Sequence, residues 1–235
     1  TYLESAGATE RTIKEKFSET LISVKDFGAV GDGIAIDTTA IQAAMSRVLA
    51  LGGGICYFPP GEYIVDQGFS LTAANGVVLM GAKGSTPITQ PNATATTFTF
   101  ATSSIKCGVA GLIIGHSTST TGAAISVAAW LNFYISDTDI SGGNYAYAAD
   151  FSGASSWTIA DSFLIGTTRG VRSNTTSTTC MLINTQLTGV ASSALEINGS
   201  GIGYTLVGGF LAGAKGILFN ASYTGSFIRV YGTRN

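Results

Sequence analysis

Carboxylates are the side chains best able to do chemistry in the second half of this 235-residue chain. Of the 14 acidic residues, only five lie beyond position 66, and four of these are candidates for catalysis. Paired carboxylic acids are what glycoside hydrolysis requires, and their separation decides the mechanism. Asp137 and Asp161 occupy one position in successive copies of a repeat, which predicts a spacing of about 5 Å if the copies stack. The candidate catalytic residues are Asp137, Asp139, Asp161 and Glu196.

A turn offers a simpler interpretation of the same acids. The column of Asp137 and Asp161 continues as Asn184 and Gly208, which are residue types that tight turns favour. Glu196 aligns with an arginine one repeat earlier, which predicts an exposed cross-strand ion pair of little energetic value. The pattern Asp-x-Asp at position 137 supplies too few oxygens for calcium. The sequence therefore indicates no metal site and no cofactor.

Aromatic side chains offer a second way to hold sugars. Their flat apolar faces suit the apolar faces of sugar rings, and nearby hydroxyl and amide groups suit sugar hydroxyls. The candidate carbohydrate-binding residues are Trp130, Tyr134, Tyr145, Tyr147 and Trp157. Packing in the core or between subunits is the alternative, and it is the preferred one.

Other reactive residue types carry weaker signals. His116 is the only histidine, so a single chain has no histidine triad, and its position predicts a corner residue. The glycines of segment 28–33 lack the spacing and the Lys-Ser/Thr ending of a phosphate loop, so they predict a turn. Cys56, Cys107 and Cys180 are odd in number and widely spaced, which predicts buried apolar fillers rather than disulfides or zinc ligands.

A repeat of about 24 residues positions these candidates. Its third and eighth positions are apolar and its tenth is glycine, and four copies begin at Phe133, Trp157, Cys180 and Tyr204. A second ladder is predicted through Asp150, Asn174, Asn198 and Asn220. A fixed period of this size is typical of a solenoid. Each copy has room for about three short strands and for no helix, so the fold is predicted to be an all-β solenoid, a single-stranded parallel β-helix.

The composition agrees with this fold. Only 11% of the residues are charged, 45% are hydrophobic, and 31 are glycine. A net charge of −2 leaves no surplus for nucleic acid or anionic lipid. No apolar run is long enough to cross a membrane, so no membrane insertion is expected.

The N-terminal part is predicted to contain helices. Residues 10–21 place three apolar side chains at i, i+4 and i+8, a stripe that packs either on its own domain or on copies of itself. Residues 38–51 form a stronger pattern, with Asp37 among the N-cap candidates and Thr39 and Gln42 at capping-box spacing. The glycines at 52–54 end this helix. Short strands are expected on both sides of a Pro-Pro-Gly turn at 59–61.

Segments 23–33, 37–42 and 53–63 resemble the opening of the pectate-lyase-like superfamily, and residues 11–20 resemble the neck before that motif in bacteriophage tailspikes and tail fibres. The resemblance implies a right-handed parallel β-helix, a helix that caps its N-terminal end, and assembly as a homotrimer. It divides the chain into a neck or attachment segment at 1–22 and a β-helix at 23–235, with the capping helix at 38–51.

The resemblance predicts a component of the phage virion. We expect a β-helical shaft or receptor-binding module that contacts host surface polysaccharide and joins other tail proteins through its N-terminal segment. Its location would be the phage tail, and it would be extracellular on release. The alternative is a polysaccharide-degrading hydrolase or lyase, like the family's free-living members. The acids are few and no Arg or Lys clusters beside them, so the sequence favours a chain without catalytic activity.

The end of the sequence gives a further expectation. Residues 227–231 are predicted to begin another rung, and no polar cap follows them. A solenoid that stops there would present unpaired backbone groups and apolar column ends. Either the three subunits cover one another's ends, or the chain is a piece of a longer protein whose receptor-binding part lies downstream.

Overall fold

Strands, most of them short, make up the larger part of the described chain. The computed structural model describes residues 12–13, 21–92, 96–101, 104–128, 132–141, 143–153, 156–174, 179–199, 203–220 and 227–231. In chain order the elements are β1 (Leu21–Ser23), a 3-10 helix (Val24–Phe27), β2 (Asp32–Ile36), α1 (Thr38–Ala50), β3 (Gly54–Phe58), β4 (Glu62–Ile64), β5 (Phe69–Leu71), β6 (Val77–Gly81), β7 (Pro87–Gln90), β8 (Phe98–Phe100), β9 (Gly108–Ala110), β10 (Ile113–Val127), β11 (Phe133–Ser136), β12 (Asp139–Ile140), β13 (Gly143–Phe151), β14 (Ser156–Ala160), β15 (Phe163–Gly166), β16 (Arg169–Ser173), β17 (Thr179–Ile183), β18 (Gln186–Ile197), β19 (Gly203–Val207), β20 (Phe210–Phe219) and β21 (Phe227–Tyr231).

The strands stack as a parallel solenoid. One sheet has the order β1-β3-β6-β9-β11-β14-β17-β19-β21, so each turn of the chain adds one strand. The other described strands form a second sheet of 12 strands, which turns the corner within long strands such as β10 and β18. Every strand pair between described elements is parallel. The predicted β-helix is confirmed, with about seven turns.

The register of the 24-residue repeat is also confirmed. Phe133 pairs with Trp157, Trp157 with Cys180, and Cys180 with Tyr204. The predicted rung near the end of the sequence is present as β21, which pairs with β19. Glycine recurs at the tenth position because the chain approaches itself there: a Cβ on Gly166 or Gly189 would lie 1.8 Å from a backbone carbonyl oxygen.

Aromatic rings fill the interior along the solenoid axis. Phe100, Phe133, Phe151, Trp157 and Tyr204 form a continuous series of ring contacts with centroid separations of 4.7 to 6.2 Å. The rings of Phe151 and Trp157 stack almost in parallel, at 8°. We call this series the interior aromatic ladder. Rings in contact in a dry core stabilise each other beyond the area they bury, so the ladder joins successive turns.

The predicted cap over the N-terminal end is present as α1. Ile41, Ala44, Met45 and Val48 form its buried face, which packs on β1, the 3-10 helix and β3. The three glycines that follow the helix all have positive φ. A helix in this position shields the first rungs, whose apolar ends would otherwise face water.

The N-cap differs from the prediction. Asp37 is the N-cap residue, but its side chain caps no helical N–H group, and the capping box of Thr39 and Gln42 is not formed. The Asp37 carboxylate instead accepts from the backbone N–H groups of Val30 (2.6 Å) and Gly31 (3.1 Å). The Asp37 side chain is therefore used to fix the preceding glycine turn, which is itself confirmed by the positive φ of Gly28, Gly31 and Gly33.

The predicted asparagine ladder is present, but it begins at Asn174 rather than at Asp150. Asn198 donates to Asn174 (2.6 Å), and Asn220 donates to Asn198 (2.7 Å). Asp150 does not head this ladder, because it pairs in register with Arg172. The predicted partner of Asp150, Asn174, is therefore wrong by two residues, because successive coils differ in length.

A small polar group lies inside the solenoid around His116. This residue was predicted at a corner, but it lies within β10 and is buried. Its Nε2 atom lies 2.6 Å from the carbonyl oxygen of Asn92, and its ring contacts that of Tyr145 edge-on. The Tyr145 hydroxyl donates to the carbonyl of Gly115. His116 is therefore a hydrogen-bonded interior residue.

The three cysteines are free and buried, as predicted. Burial raises the pKa of the Cys56 thiol to about 12. Among the described residues, no helix combines the length and apolar character that crossing a membrane would need.

Candidate functional site

The turns after β11, β14, β17 and β19 form a column of left-handed residues. Asp137, Asp161, Asn184 and Gly208 have φ values of 49°, 49°, 45° and 65°. Asp and Asn adopt this conformation more easily than other residues with a Cβ, and glycine adopts it without strain. The predicted turn role of Asp137 and Asp161 is therefore confirmed. We call these four residues the corner column.

Neighbouring side chains hold the two corner aspartates. Asp137 forms an ion pair with Lys83 from an earlier turn, and this contact raises the pKa of Lys83. Asp161 accepts from the side-chain amide of Asn184 at 2.8 Å. The Lys83 side chain is 73% exposed, so solvent weakens its attraction to Asp137. Each aspartate keeps at least one oxygen for which no side-chain partner is described.

Hydroxyl groups reinforce the turn one residue later. Thr138, Ser162 and Thr185 are buried, and their hydroxyls donate to the carbonyls two residues earlier at 2.7 to 2.9 Å. The Thr138 backbone N–H also donates to the Ser162 hydroxyl, which joins two rungs. These bonds fix the angle between the corner column and the strand that follows.

A second column runs beside the corner column on the next set of strands. Parallel pairing places its members one rung apart, in the order Ile113, Asp139, Phe163, Gln186 and Phe210. The residues immediately after three of them are fully buried, namely Ile140, Leu164 and Leu187. Because side chains alternate between the two faces of a strand, the five members face outward. We call them the strand column.

The two columns border one open groove of about 710 Å³. Three carboxylates line it, those of Asp137, Asp139 and Asp161, together with the amides of Asn184 and Gln186. Phe163 and Phe210 add aromatic surface. The groove therefore combines hydrogen-bonding groups with flat apolar faces along a path parallel to the solenoid axis.

Asp139 differs from the other two acids. Its Oδ1 atom is buried and has no hydrogen-bond partner among the described residues. A buried carboxylate oxygen without a hydrogen-bond donor is costly to the folded state. Within the described residues, no group of three or more His, Cys, Asp or Glu side chains has the arrangement of a metal site.

Glu196, the fourth predicted acid, lies elsewhere. It is only 3% exposed, and its Oε2 atom is 2.6 Å from Nε of Arg169, although the two are not aligned for a hydrogen bond. Asn220 donates to its other oxygen at 2.6 Å. The predicted alignment of Glu196 with Arg172 is confirmed by the strand register. The predicted exposed ion pair between them is wrong, because Arg172 binds Asp150 through both oxygens.

Tyr147 belongs to this second polar cluster. The guanidinium of Arg172 lies 3.9 Å from the centre of its ring, and Arg172 also donates to its hydroxyl at 2.9 Å. The Asp150 carboxylate raises the pKa of Arg172. Both acids and both arginines of the cluster are paired, so the cluster joins neighbouring rungs through balanced charges.

The remaining aromatic candidates occupy different surroundings. Trp157 and Tyr145 are buried in the interior, which favours the packing alternative for both. Tyr134 is half-buried and lines a separate cavity of about 460 Å³ beside Asn132 and Thr158. Trp130 lies outside the described residues. The groove aromatics Phe163 and Phe210 were not among the candidates, although both occupy the seventh position of the repeat.

The sequence of this fold matches a known family over most of its length. A family model described as rhamnogalacturonase A/epimerase, pectate lyase-like, matches residues 21–230. The chain belongs to this family. The match accounts for the resemblance of the N-terminal segments and extends it through the repeats.

Curated relatives match shorter stretches. The plasmin and fibronectin-binding protein A of Streptococcus pneumoniae is 52% identical over 60 residues, which cover 25% of this chain and 8% of the relative. The mannuronan C5-epimerase AlgE5 of Azotobacter vinelandii is 49% identical over 65 residues, 26% of this chain and 6% of the relative. The matches thus cover less than a tenth of each relative.

Solved structures share the fold. ORF18 of Geobacillus virus E2 superposes with a TM-score of 0.50 at 17% identity, covering 90% of this chain and 63% of the other. The A-module of mannuronan C5-epimerase AlgE6 from Azotobacter vinelandii gives a TM-score of 0.50 at 20% identity, covering 81% and 66%. At these identities the likeness concerns the β-helix alone.

Proposed function

We propose that this chain is the polysaccharide-binding β-helix of a bacteriophage tailspike or tail fibre, and that host surface polysaccharide lies in the groove between the corner column and the strand column. One observation carries the binding: this charge-poor chain gathers three carboxylates, two amides and two phenylalanines along one open groove. Sugars are recognised through such combinations of aromatic faces and hydrogen-bonding groups.

The phage setting is part of the proposal. It is supported by the likeness of residues 11–20 to a tailspike neck and by a fold shared with a protein of Geobacillus virus E2. In this setting the chain is a homotrimer, the N-terminal segment joins other tail proteins, and the groove faces the host. The protein is part of the virion and is extracellular on release.

Retention by host glycan tests the binding. The purified chain would be run through gels that contain capsule or lipopolysaccharide of candidate hosts, and its mobility compared with gels that lack them. We expect retardation, and we expect Phe210→Ala to reduce it. Phe219→Ala is the matched control, because Phe210 and Phe219 lie on the same strand and are 41% and 42% exposed. Equal loss in both variants, or no retardation by any host glycan, would contradict the proposal.

Catalysis is the second candidate function, and Asp139 is the observation that favours it. Asp139 lines the groove together with Asp161 on the next rung, and one of its carboxylate oxygens has no hydrogen-bond partner among the described residues. A hydrolase would use one of these as acid and the other as base or nucleophile. Incubation with the retained polysaccharide separates the two functions. If the polysaccharide is shortened, and Asp139→Asn prevents this shortening, the protein is an enzyme. If the polysaccharide stays intact, the protein only binds it.

The mass of the protein in solution tests the assembly independently. A homotrimer of the 24.0 kDa chain has three times that mass by light scattering. A monomer at micromolar concentration would contradict the trimeric part of the proposal and leave the glycan test unaffected.

A further inference from the structure

Polar and aromatic residues alternate along the strand column from Asp139 onward, a pattern that the corner column lacks. From Asp139 onward its members are a carboxylate, an aromatic ring, an amide and a second aromatic ring. Adjacent parallel strands are about 4.8 Å apart, so Phe163 and Phe210 are separated by about 10 Å along the axis. Both border the same groove.

This spacing matches an extended polysaccharide. A pyranose ring advances an extended chain by roughly the distance between two neighbouring strands. In a chain with two-fold symmetry, every second ring presents the same face to one side. Two phenylalanines that are two rungs apart can therefore stack on two rings of equivalent orientation, while Gln186 contacts the ring between them.

The charge of the groove selects among polysaccharides. Three carboxylates and one ammonium group line the groove. The ammonium group belongs to Lys83 and is already paired with Asp137. A ligand that carries a carboxylate on each sugar would meet like charges along the groove, which is unfavourable. Sugar hydroxyls, in contrast, can donate to the carboxylates of Asp139 and Asp161, which line the groove.

We infer that the groove binds an uncharged polysaccharide, laid parallel to the solenoid axis, with every second sugar on Phe163 or Phe210. The inference rests on the proposed function, because it names the substrate class of the same groove. It excludes polyuronates as the ligand, although the chain belongs to a pectate lyase-like family.

Binding to matched oligosaccharides tests this inference. One panel contains neutral tetrasaccharides of glucose, mannose, galactose and xylose in different linkages, and the other contains tetrasaccharides of galacturonate, mannuronate and guluronate. Affinities are measured by calorimetry at low salt, where charge repulsion is strongest. We expect at least one neutral tetrasaccharide to bind at least about tenfold more tightly than any uronate.

Two phenylalanine variants test the placement of the ligand. Phe163→Ala and Phe210→Ala should each weaken the binding of the neutral tetrasaccharide by about five- to tenfold, because each removes one stacking surface. Phe219→Ala should leave it unchanged. Asp139→Asn combined with Asp161→Asn should narrow the gap between neutral and uronate ligands, because it removes two of the three negative charges.

The outcomes separate this inference from the proposed function. Uronate binding that equals or exceeds neutral binding, and that Phe210→Ala weakens, overturns the inference and leaves glycan binding in the groove intact. Neutral binding that neither phenylalanine variant affects overturns the placement. Binding by no member of either panel, together with no retention by host glycan, overturns both.

Discussion

The interior aromatic ladder and the strand column use the same solenoid register for opposite purposes. In the interior, Trp157 is 1% exposed and stacks on Phe151. On the outside, Phe210 is 41% exposed and borders the groove. Both sets place aromatic residues on stacked parallel strands, so the backbone alone does not distinguish them.

The difference lies in what covers each ring. An aromatic ring in the dry interior packs against other rings instead of water, and this burial stabilises the folded state. A ring at the surface keeps part of its apolar face for a ligand. Burial therefore decides which aromatic residues of a β-helix stabilise the protein and which can recognise sugar, and substitutions should separate the two columns clearly.

The largest effect is expected at Trp157. Its replacement by alanine leaves a cavity at the centre of the interior ladder and should lower the free energy of unfolding by about 3 to 5 kcal/mol. Trp157→Phe keeps a ring there and should cost less than about 1.5 kcal/mol. Chemical denaturation measures both. Phe210→Ala should cost under about 1 kcal/mol, and an equal loss in Phe210→Ala and Trp157→Ala would remove the distinction between the columns.

The asparagine ladder should give a smaller effect from a partly buried outer position. Asn198→Ala removes the donor to Asn174 and the acceptor of Asn220, which should cost about 1 to 3 kcal/mol. Asn144→Ala is the control, because its side chain makes one long hydrogen bond of 3.4 Å. If the two variants unfold at the same denaturant concentration, the ladder does not join the rungs.

Alkaline pH should weaken the interior and spare the groove. Burial raises the pKa of Tyr145 well above its ordinary value. The folded state therefore keeps a proton that the unfolded chain releases, and this stability is complete below about pH 10. Above that pH the free energy of unfolding should fall by about 1.4 kcal/mol per pH unit for this group.

The variant Tyr145→Phe has no ionisable hydroxyl at this position. Its free energy of unfolding should therefore fall less steeply with pH, by about 1.4 kcal/mol per pH unit above about pH 10. Burial raises the pKa of Tyr63 to about 12 and also raises that of Tyr134, so part of the decline remains. Denaturation curves between pH 8 and 11 measure the slope. An unchanged slope in Tyr145→Phe would show that Tyr145 releases its proton in the folded state.

The smallest effect is expected at Asp161, which serves both the corner and the groove. Its φ of 49° costs an ordinary residue about 1 kcal/mol, so Asp161→Ala should be destabilised by that amount. Asp161→Gly and Asp161→Asn should be nearly neutral, because both residue types accept this conformation. Equal thermal stability of all three variants would mean that the corner imposes no conformational constraint.

Much of the molecule could be predicted from its sequence, because a solenoid repeats its spacing. The columns at Phe133, Trp157, Cys180 and Tyr204 are in register as predicted. The turn at Asp137 and Asp161 follows from residue types that accept positive φ. The capping helix follows from a local pattern of apolar residues and glycines.

The errors occurred where coils differ in length. Between β13 and β16 the paired residues are 22 positions apart instead of 24, so Asp150 pairs with Arg172 rather than with an asparagine. Glu196 does pair in register with Arg172 as predicted, but it is buried and its carboxylate lies against Arg169 instead of on an exposed strand. A register offset of two residues keeps the same face of the strand but changes every partner.

The sequence by itself determined the repeat, the interior columns and the corner turns, because these depend on residue type and period. Only the tertiary structure decided the groove. Asp139, Phe163, Gln186 and Phe210 share the seventh position of the repeat, yet their types are too varied to suggest a common role. Stacking brings them to one surface beside Asp137 and Asp161, since parallel pairing places residues some 24 positions apart within about 5 Å of each other.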